Sequence, residues 1–396
     1  MDEHGRMMEA WATARAVGAP VVLATLVGVR GASYRSLGAR MLILEDGTRI
    51  GSLSGGCIEG ELCRRAFWWT EGGKPYLRTY DTSLQQEEEG SGYGLGCGGS
   101  VDVWLERLSP ADPLNPLLLI DAVRNTRTDR VTALVLRSTD EAVLGERFAL
   151  DANGSLCGAS GCLPQHAVAT IREQMILALE ERSSRTLAPA AGTDASCDIL
   201  IEVIRPPTQL VVCGAGFDAQ PLVHFAAQLG WRVVVCDRRA DFARPQRFPE
   251  AHRVVWVRTP EALPVSQFDA STACILMTHS FEQDCSFLKQ ILPLTLPYVG
   301  VLGSRARTQT IFDELGTSME ESGVFAPAGL DIGAETPEEI AVSIMAEIRA
   351  CLSGRNGGSL RDRSGSIHTD ARSPHAQESF LLDHTDPLSN NDLCKV

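Results

Sequence analysis

The chain has 396 residues, 44% apolar and 22% charged, which suits two or three soluble globular domains with substantial cores. Its formal charge of −14 argues against a nucleic-acid partner, because no basic patch offers counterion release, and against docking on an anionic membrane surface. No apolar run reaches transmembrane length, and the N-terminus lacks the basic region and apolar core of a signal peptide. The expectation is therefore a cytoplasmic protein whose twelve cysteines stay reduced.

Residues 6–17 have helical character. Val21–Val29 reads as a strand entering a loop, and Arg40–Leu44 as a strand closed by the turn Glu45-Asp46-Gly47-Thr48. A Ser/Gly loop, Gly51-Ser52-Leu53-Ser54-Gly55-Gly56-Cys57, then runs into a helix reaching Trp69, with Glu59 and Glu61 in the first turn, where acids suit the helix dipole. Tyr76–Tyr80 reads as a strand, the run Glu87-Glu88-Glu89 as a solvated loop, and Val101–Leu105 as a strand. Between the last two lies Gly94-Leu95-Gly96-Cys97-Gly98-Gly99. Such a run is costly to order unless the backbone must approach something closely. Leu117–Asn125 reads as a helix, Val131–Arg137 as a strand, and Phe148–Gly161 as a hairpin around Asn153-Gly154. His166–Arg182 follows as a helix, Ser183–Ser196 as a loop, and Asp198–Ile204 as a strand.

Pro206-Pro207 marks a domain boundary. Beyond it, Leu210–Cys213 is a fully apolar run of the kind buried on both faces. Gly214, Gly216 and Ala219 follow it as a glycine fingerprint, then a helical stretch, a second apolar strand over Arg232–Cys236, and Asp237 where an acid would hold a ribose hydroxyl. This predicts a Rossmann-type βαβ unit. The alternative is that the glycines only permit close packing. Strands near Arg253–Val257, Ala273–Thr278 and Tyr298–Leu302, with helices over Glu282–Leu292 and from Thr336 to Leu352, extend it. The predicted class is α/β: an N-terminal mixed α/β domain over 1–205 and a C-terminal doubly wound parallel sheet over 206–352. A disordered tail is expected over 353–396.

Several loops could carry chemistry. Cys57, beside Gly55 and Gly56, and Cys97, between Gly96 and Gly98, sit in glycine turns. The start of a helix, as at Cys57, can expose a thiolate, and soft thiolates suit sulfur or soft-metal chemistry. The alternative is two small residues filling tight turns. Ser304-Arg305, opening a helix after Gly303, suits a phosphate or carboxylate, or is an ordinary N-cap with a surface arginine. His279, with Asp284 nearby, is a site residue or a satisfied polar group. Cys213, Cys236 and Cys274, in apolar runs, read as inert core thiols.

Taken jointly, the motifs resemble the XdhC/CoxI family, accessory proteins of xanthine dehydrogenase and related molybdenum hydroxylases. The segments that carry the resemblance are Gly28–Met41, Gly51–Gly60, Gly94–Gly99, Pro206-Pro207, the Gly214 loop, Tyr298–Arg305 and Gly329–Ile340. The resemblance implies an accessory factor rather than a catalyst. Such a protein binds the molybdenum cofactor (molybdopterin or its dinucleotide form), assists its sulfuration by a cysteine desulfurase, and delivers it to an apo molybdenum hydroxylase. Cys57 and Cys97 would then lie near the metal or its sulfur, and the turns bearing them would share a cavity with the nucleotide-style crevice. A homodimer is left open. Two departures stand out: Phe217-Asp218 where the family commonly has His-Val, and Ser54 where it commonly has Gly. The alternative function is an NAD(P)-dependent oxidoreductase, with Asp237 favouring NAD and Arg238-Arg239 able to admit a 2′-phosphate.

Overall fold

The computed structural model describes residues 2–31, 33–81, 99–151, 153–158, 163–187 and 197–362, and these form three five-stranded sheets. The first sheet is antiparallel. It contains β1 (Val21–Arg30), β2 (Arg40–Leu44), β3 (Arg49–Gly51), β4 (Tyr76–Asp81) and β5 (Ser100–Arg107), in the order β3-β2-β1-β5-β4. The second is antiparallel too, with β6 (Arg130–Arg137), β7 (Arg147–Leu150), β8 (Leu156–Cys157), β9 (Arg185–Leu187) and β10 (Asp198–Ile204), ordered β8-β7-β6-β10-β9. The front half thus holds two sheets. They meet through Val27, Trp104, Leu134, Leu136 and Leu200, all nearly or fully buried. Strand β9 lies in a stretch whose sequence reads as loop, because three residues are too few to show alternation.

Three helices pack on the first sheet and its edge: α1 (Glu3–Ala16), α2 (Glu59–Trp69) and α3 (Pro116–Thr126). Helix α1 begins earlier than its apolar spacing suggests because Asp2 is its N-cap and accepts the Gly5 N–H at 2.9 Å. Asp2 also pairs with Arg124 at 2.6 Å. Asp2→Ala removes both ties and is expected to cost ~1–2 kcal/mol, seen as a lower urea midpoint. Helix α4 (Gln165–Glu180) packs on the second sheet.

The third sheet is parallel, with β11 (Gln209–Cys213), β12 (Arg232–Asp237), β13 (Arg253–Trp256), β14 (Thr272–Leu276) and β15 (Tyr298–Val301) in the order β13-β12-β11-β14-β15. Helices α5 (Ala219–Gln228), α6 (Phe281–Ile291), α7 (Arg305–Leu315), α8 (Met319–Ser322) and α9 (Pro337–Leu352) complete it. Two separate apolar cores form, one centred on Leu210, Val212, Ala226 and Ile344, the other on Val211, Cys213, Phe287 and Ile291. Alternate residues of β11 fall in different cores, so the sheet is covered on both faces, as its unbroken apolar runs require. The order reverses between β11 and β14, which makes the gap at their carboxyl ends the topological switch point. Of the expected tail, residues 363–396 lie outside the described part.

Candidate functional site

The Cys57 turn is built around one carboxylate. Glu59, on the first turn of α2, is 1% exposed and accepts five hydrogen bonds. Oε1 takes the Leu53 and Ser54 amides at 2.9 and 2.8 Å and the Ser52 hydroxyl at 3.0 Å. Oε2 takes the Ser54 hydroxyl at 2.6 Å and the Gly56 amide at 3.0 Å. Burial alone would raise its pKa, but these donors, led by Ser54, outweigh burial and bring it to about 2. The loop is thereby wrapped around an ionised group, and Cys57 is turned outward and exposed. Gly55 and Gly56 have φ of +79° and +125°. The Tyr34 ring, 65% exposed, lies over Gly55, while a Cβ on Gly56 would meet open space. The helix begins at Glu59, so Cys57 precedes its N-cap residue Ile58. Sequence reading credits Glu59 only with a dipole role. Its signal was the two serines placed five and seven residues before it.

Loop 31–39, which carries Tyr34, follows β1. The Cys57 loop follows β3, and residues 82–98 run from β4 to β5. The pairings Met41↔Gly51, Arg30↔Ser100 and Asp81↔Ser100 put these three exits at one end of the first sheet. Cys97, Gly96 and Gly98 themselves lie outside the described residues. Among the described residues no cluster of three or more His, Cys, Asp or Glu side chains could hold a metal ion.

The switch-point crevice gathers the other expected residues. Gly214, at φ +124°, is required by packing, because a Cβ there would fall 2.3 Å from the Met277 carbonyl oxygen. A Cβ on Gly216 would fall 2.3 Å from Asp218 Oδ1. The Asp218 carboxylate therefore lies against the glycine loop, at the N-cap of α5, where a pyrophosphate would approach a dinucleotide fold. It is held there by His279 Nε2 at 2.8 Å, and His279 itself adopts a left-handed φ of +57°. The pair gives His279 a site-wall role that its sequence position left open.

Asp237 corrects the ribose expectation. It is buried, and its carboxylate accepts the Ala215 amide at 2.7 Å, the Arg239 amide at 2.7 Å and two Arg239 side-chain donors at 3.0 and 2.8 Å. Burial would raise its pKa, and the Arg239 bonds and the Ala215 amide overcome that and lower it. A ribose would have to expel Arg239. Ser304 is the N-cap of α7 and accepts the Arg307 amide at 3.3 Å, and Arg305 is solvent-exposed. The inward-facing arginine is Arg307, which meets the fully buried Asp284 at 2.6 Å. Asp284 in turn accepts the Thr278 hydroxyl at 2.6 Å.

The ties between the front half and the parallel sheet lie at the sheet's amino ends. Arg127 pairs with Asp269 at 2.8 Å and donates to the Pro207 carbonyl at 2.8 Å, and Arg182 reaches Ala270 and Ser271. Asp2 packs beside Gly230, just ahead of β12, and Glu3 pairs with Arg35 of loop 31–39. The crevice opens at the carboxyl ends, a strand length of ~17 Å away. The shared cavity expected for the cysteine turns and the crevice is thus not what these ties build for Cys57 within one chain. Strand direction, which no local motif encodes, decides it.

Comparison with known proteins gives a consistent picture. The family described as XdhC Rossmann domain matches residues 210–348, and the XdhC and CoxI family matches residues 14–81. A Bacillus subtilis protein, named as a probable xanthine dehydrogenase component, is 32% identical over 83% of this chain and 92% of its own length. The Escherichia coli protein named molybdenum cofactor insertion chaperone PaoD is 26% identical over 88% of each. The solved structure of a xanthine dehydrogenase from Bacillus halodurans, 27% identical, superposes with a TM-score of 0.71 over 91% of this chain and 98% of that one. With antiparallel sheets in front, a parallel sheet behind, and these relatives along nearly its whole described length, the chain belongs to the XdhC and CoxI family.

Proposed function

We propose that this protein carries the molybdenum cofactor, as molybdopterin or its dinucleotide form, and inserts it into an apo molybdenum hydroxylase of the xanthine dehydrogenase kind. The cofactor is cargo rather than a resident group. The observation that carries the reading is the Cys57 turn: an outward thiol, an aromatic ring over Gly55, and open space at Gly56, all fixed by one buried carboxylate. A soft thiolate suits a sulfur-rich metal centre, and a rigid glycine turn lets a bulky group approach the backbone. Cys97 is proposed as the second thiol of this site, with a cysteine desulfurase as the partner that supplies sulfur. The relative named as a cofactor insertion chaperone supports the role. NAD(P) chemistry gains nothing from the crevice, where Asp218 and the Arg239-bound Asp237 oppose a pyrophosphate and a ribose.

The test is anaerobic loading of the full chain, read as pterin fluorescence after oxidation. Cys57→Ala is expected to retain at least about tenfold less cofactor, since one metal–ligand contact is lost. If native protein offered the cofactor retains none, while a competent carrier does, the proposal fails.

A further inference from the structure

The aromatic residue of the glycine loop belongs to none of the machinery above. Phe217 is 75% exposed. Behind it runs a ladder of alternating guanidinium and ring. The Arg247 guanidinium lies 5.0 Å from the Phe217 ring and 4.5 Å from Phe242, and Arg239 lies 3.7 Å from Phe242. Arg239 is anchored in turn on the buried Asp237. Arg247 Nη2 is buried and has no hydrogen-bond partner among the described residues. The arginine is thus committed to stacking and holds one side of Phe217, leaving the other to solvent.

Phe217 stands at the end of a groove of about 610 Å³ between α5, the segment before β13 and the start of α9. That volume is within the usual range for a small-molecule site. The polar groups at the groove divide into two sets. His224 and Glu250 are paired with each other at 2.7 Å. The side chains of Gln220 and Glu338 also line the groove and have no partner among the described residues. A free carboxylate beside an open aromatic face matches a flat heterocycle that offers adjacent ring N–H and amino donors, because a carboxylate accepts two parallel hydrogen bonds.

We infer that this groove is a seat for a 2-amino-4-oxopyrimidine-type ring, stacked on Phe217 and read at its donor edge by Glu338. Guanine and pterin share that edge, whereas adenine lacks it. Assigning the ring to the pterin of the cargo rests on the proposed function; the seat itself rests on Phe217, Arg247 and Glu338 alone.

The experiment titrates the full chain with 6-hydroxymethylpterin, guanosine diphosphate and adenosine diphosphate, and follows pterin fluorescence or equilibrium dialysis. The pterin or guanosine probe is expected to bind at least about tenfold more tightly than the adenosine probe. The stronger of the two identifies the source of the ring. Phe217→Leu and Glu338→Gln should each weaken the better probe by about tenfold or more, and Phe217→Trp should retain it, because stacking on an aromatic face is worth ~1–3 kcal/mol. Both positions are exposed, so the variants fold. Equal binding of adenosine diphosphate, binding untouched by Glu338→Gln, or no binding of either probe overturns the seat. Cofactor retention that depends on Cys57 while both probes fail sinks this inference alone; the reverse outcome sinks the proposed function alone.

Discussion

Glu59→Gln is expected to lower stability by ~3 kcal/mol and to release the Cys57 turn. The exchange keeps size and shape but replaces an acceptor oxygen with an amide that donates. Ser54 and Gly56, or Leu53 and Ser52, would then point donors at donors inside a buried pocket. A buried donor left without an acceptor costs ~1–3 kcal/mol, and more than one is stranded here. The pKa gives the same scale. A fall from 4.5 to about 2 corresponds to ~3 kcal/mol at ~1.4 kcal/mol per unit. Because the folded value is depressed, this stability is fully present above pH 4.5 and is lost as the pH falls toward 2. His4 acts in the same direction at milder acidity. Burial lowers it from 6.5 to about 4, so the fold favours the neutral ring and loses that preference as pH falls from 6.5 toward 4. Urea midpoints across pH 3–7 should therefore decline on acidification. The part below pH 4.5 should vanish in Glu59→Gln, and Cys57 should react faster with a thiol reagent. An unchanged midpoint and unchanged reactivity would show that the turn does not depend on this carboxylate.

Gly214→Ala should be worse, and a matched control shows why. Gly214 and Gly56 have nearly the same φ, +124° and +125°. Alanine at either position bears a similar backbone strain of ~1–3 kcal/mol. Their surroundings differ. At Gly56 the new methyl meets nothing within 4 Å, whereas at Gly214 it falls 2.3 Å from the Met277 oxygen and 2.6 Å from its carbonyl carbon. Those atoms are backbone between β14 and His279 and cannot move without opening the crevice wall. An overpacking penalty of ~1–3 kcal/mol is added to the strain. Gly214→Ala is expected to lose at least ~2 kcal/mol more than Gly56→Ala, or to fail to fold while Gly56→Ala folds. Equal urea midpoints for the two would mean that Met277 yields freely.

The contrast between these glycines separates what sequence carries from what it does not. Both sit in obvious turns, and their spacing alone announces strand–turn–helix. The apolar run Leu210–Cys213, the caps at Ser304 and Thr336, and the breaks at Gly230 and Pro206-Pro207 are local features, each acting within a few residues. From them the order of elements, the parallel rear sheet and the family likeness could be read directly. Helical and extended periodicity is a short-range property, so it survives in the linear string.

Partnership is not short-range. Asp237 follows the right strand, yet Arg239 and the Ala215 amide have already taken its oxygens. Arg305 opens the right helix, yet Arg307 is the arginine that enters the protein to meet Asp284. Nothing local distinguishes Asp218 from any surface acid until His279, brought in by a neighbouring strand, holds it against the glycine loop. Local periodicity settled which elements form and what lineage they belong to. Only the packed molecule decided which carboxylates remain open, because hydrogen-bond donors far apart in the chain compete for the same lone pairs once strands are laid side by side.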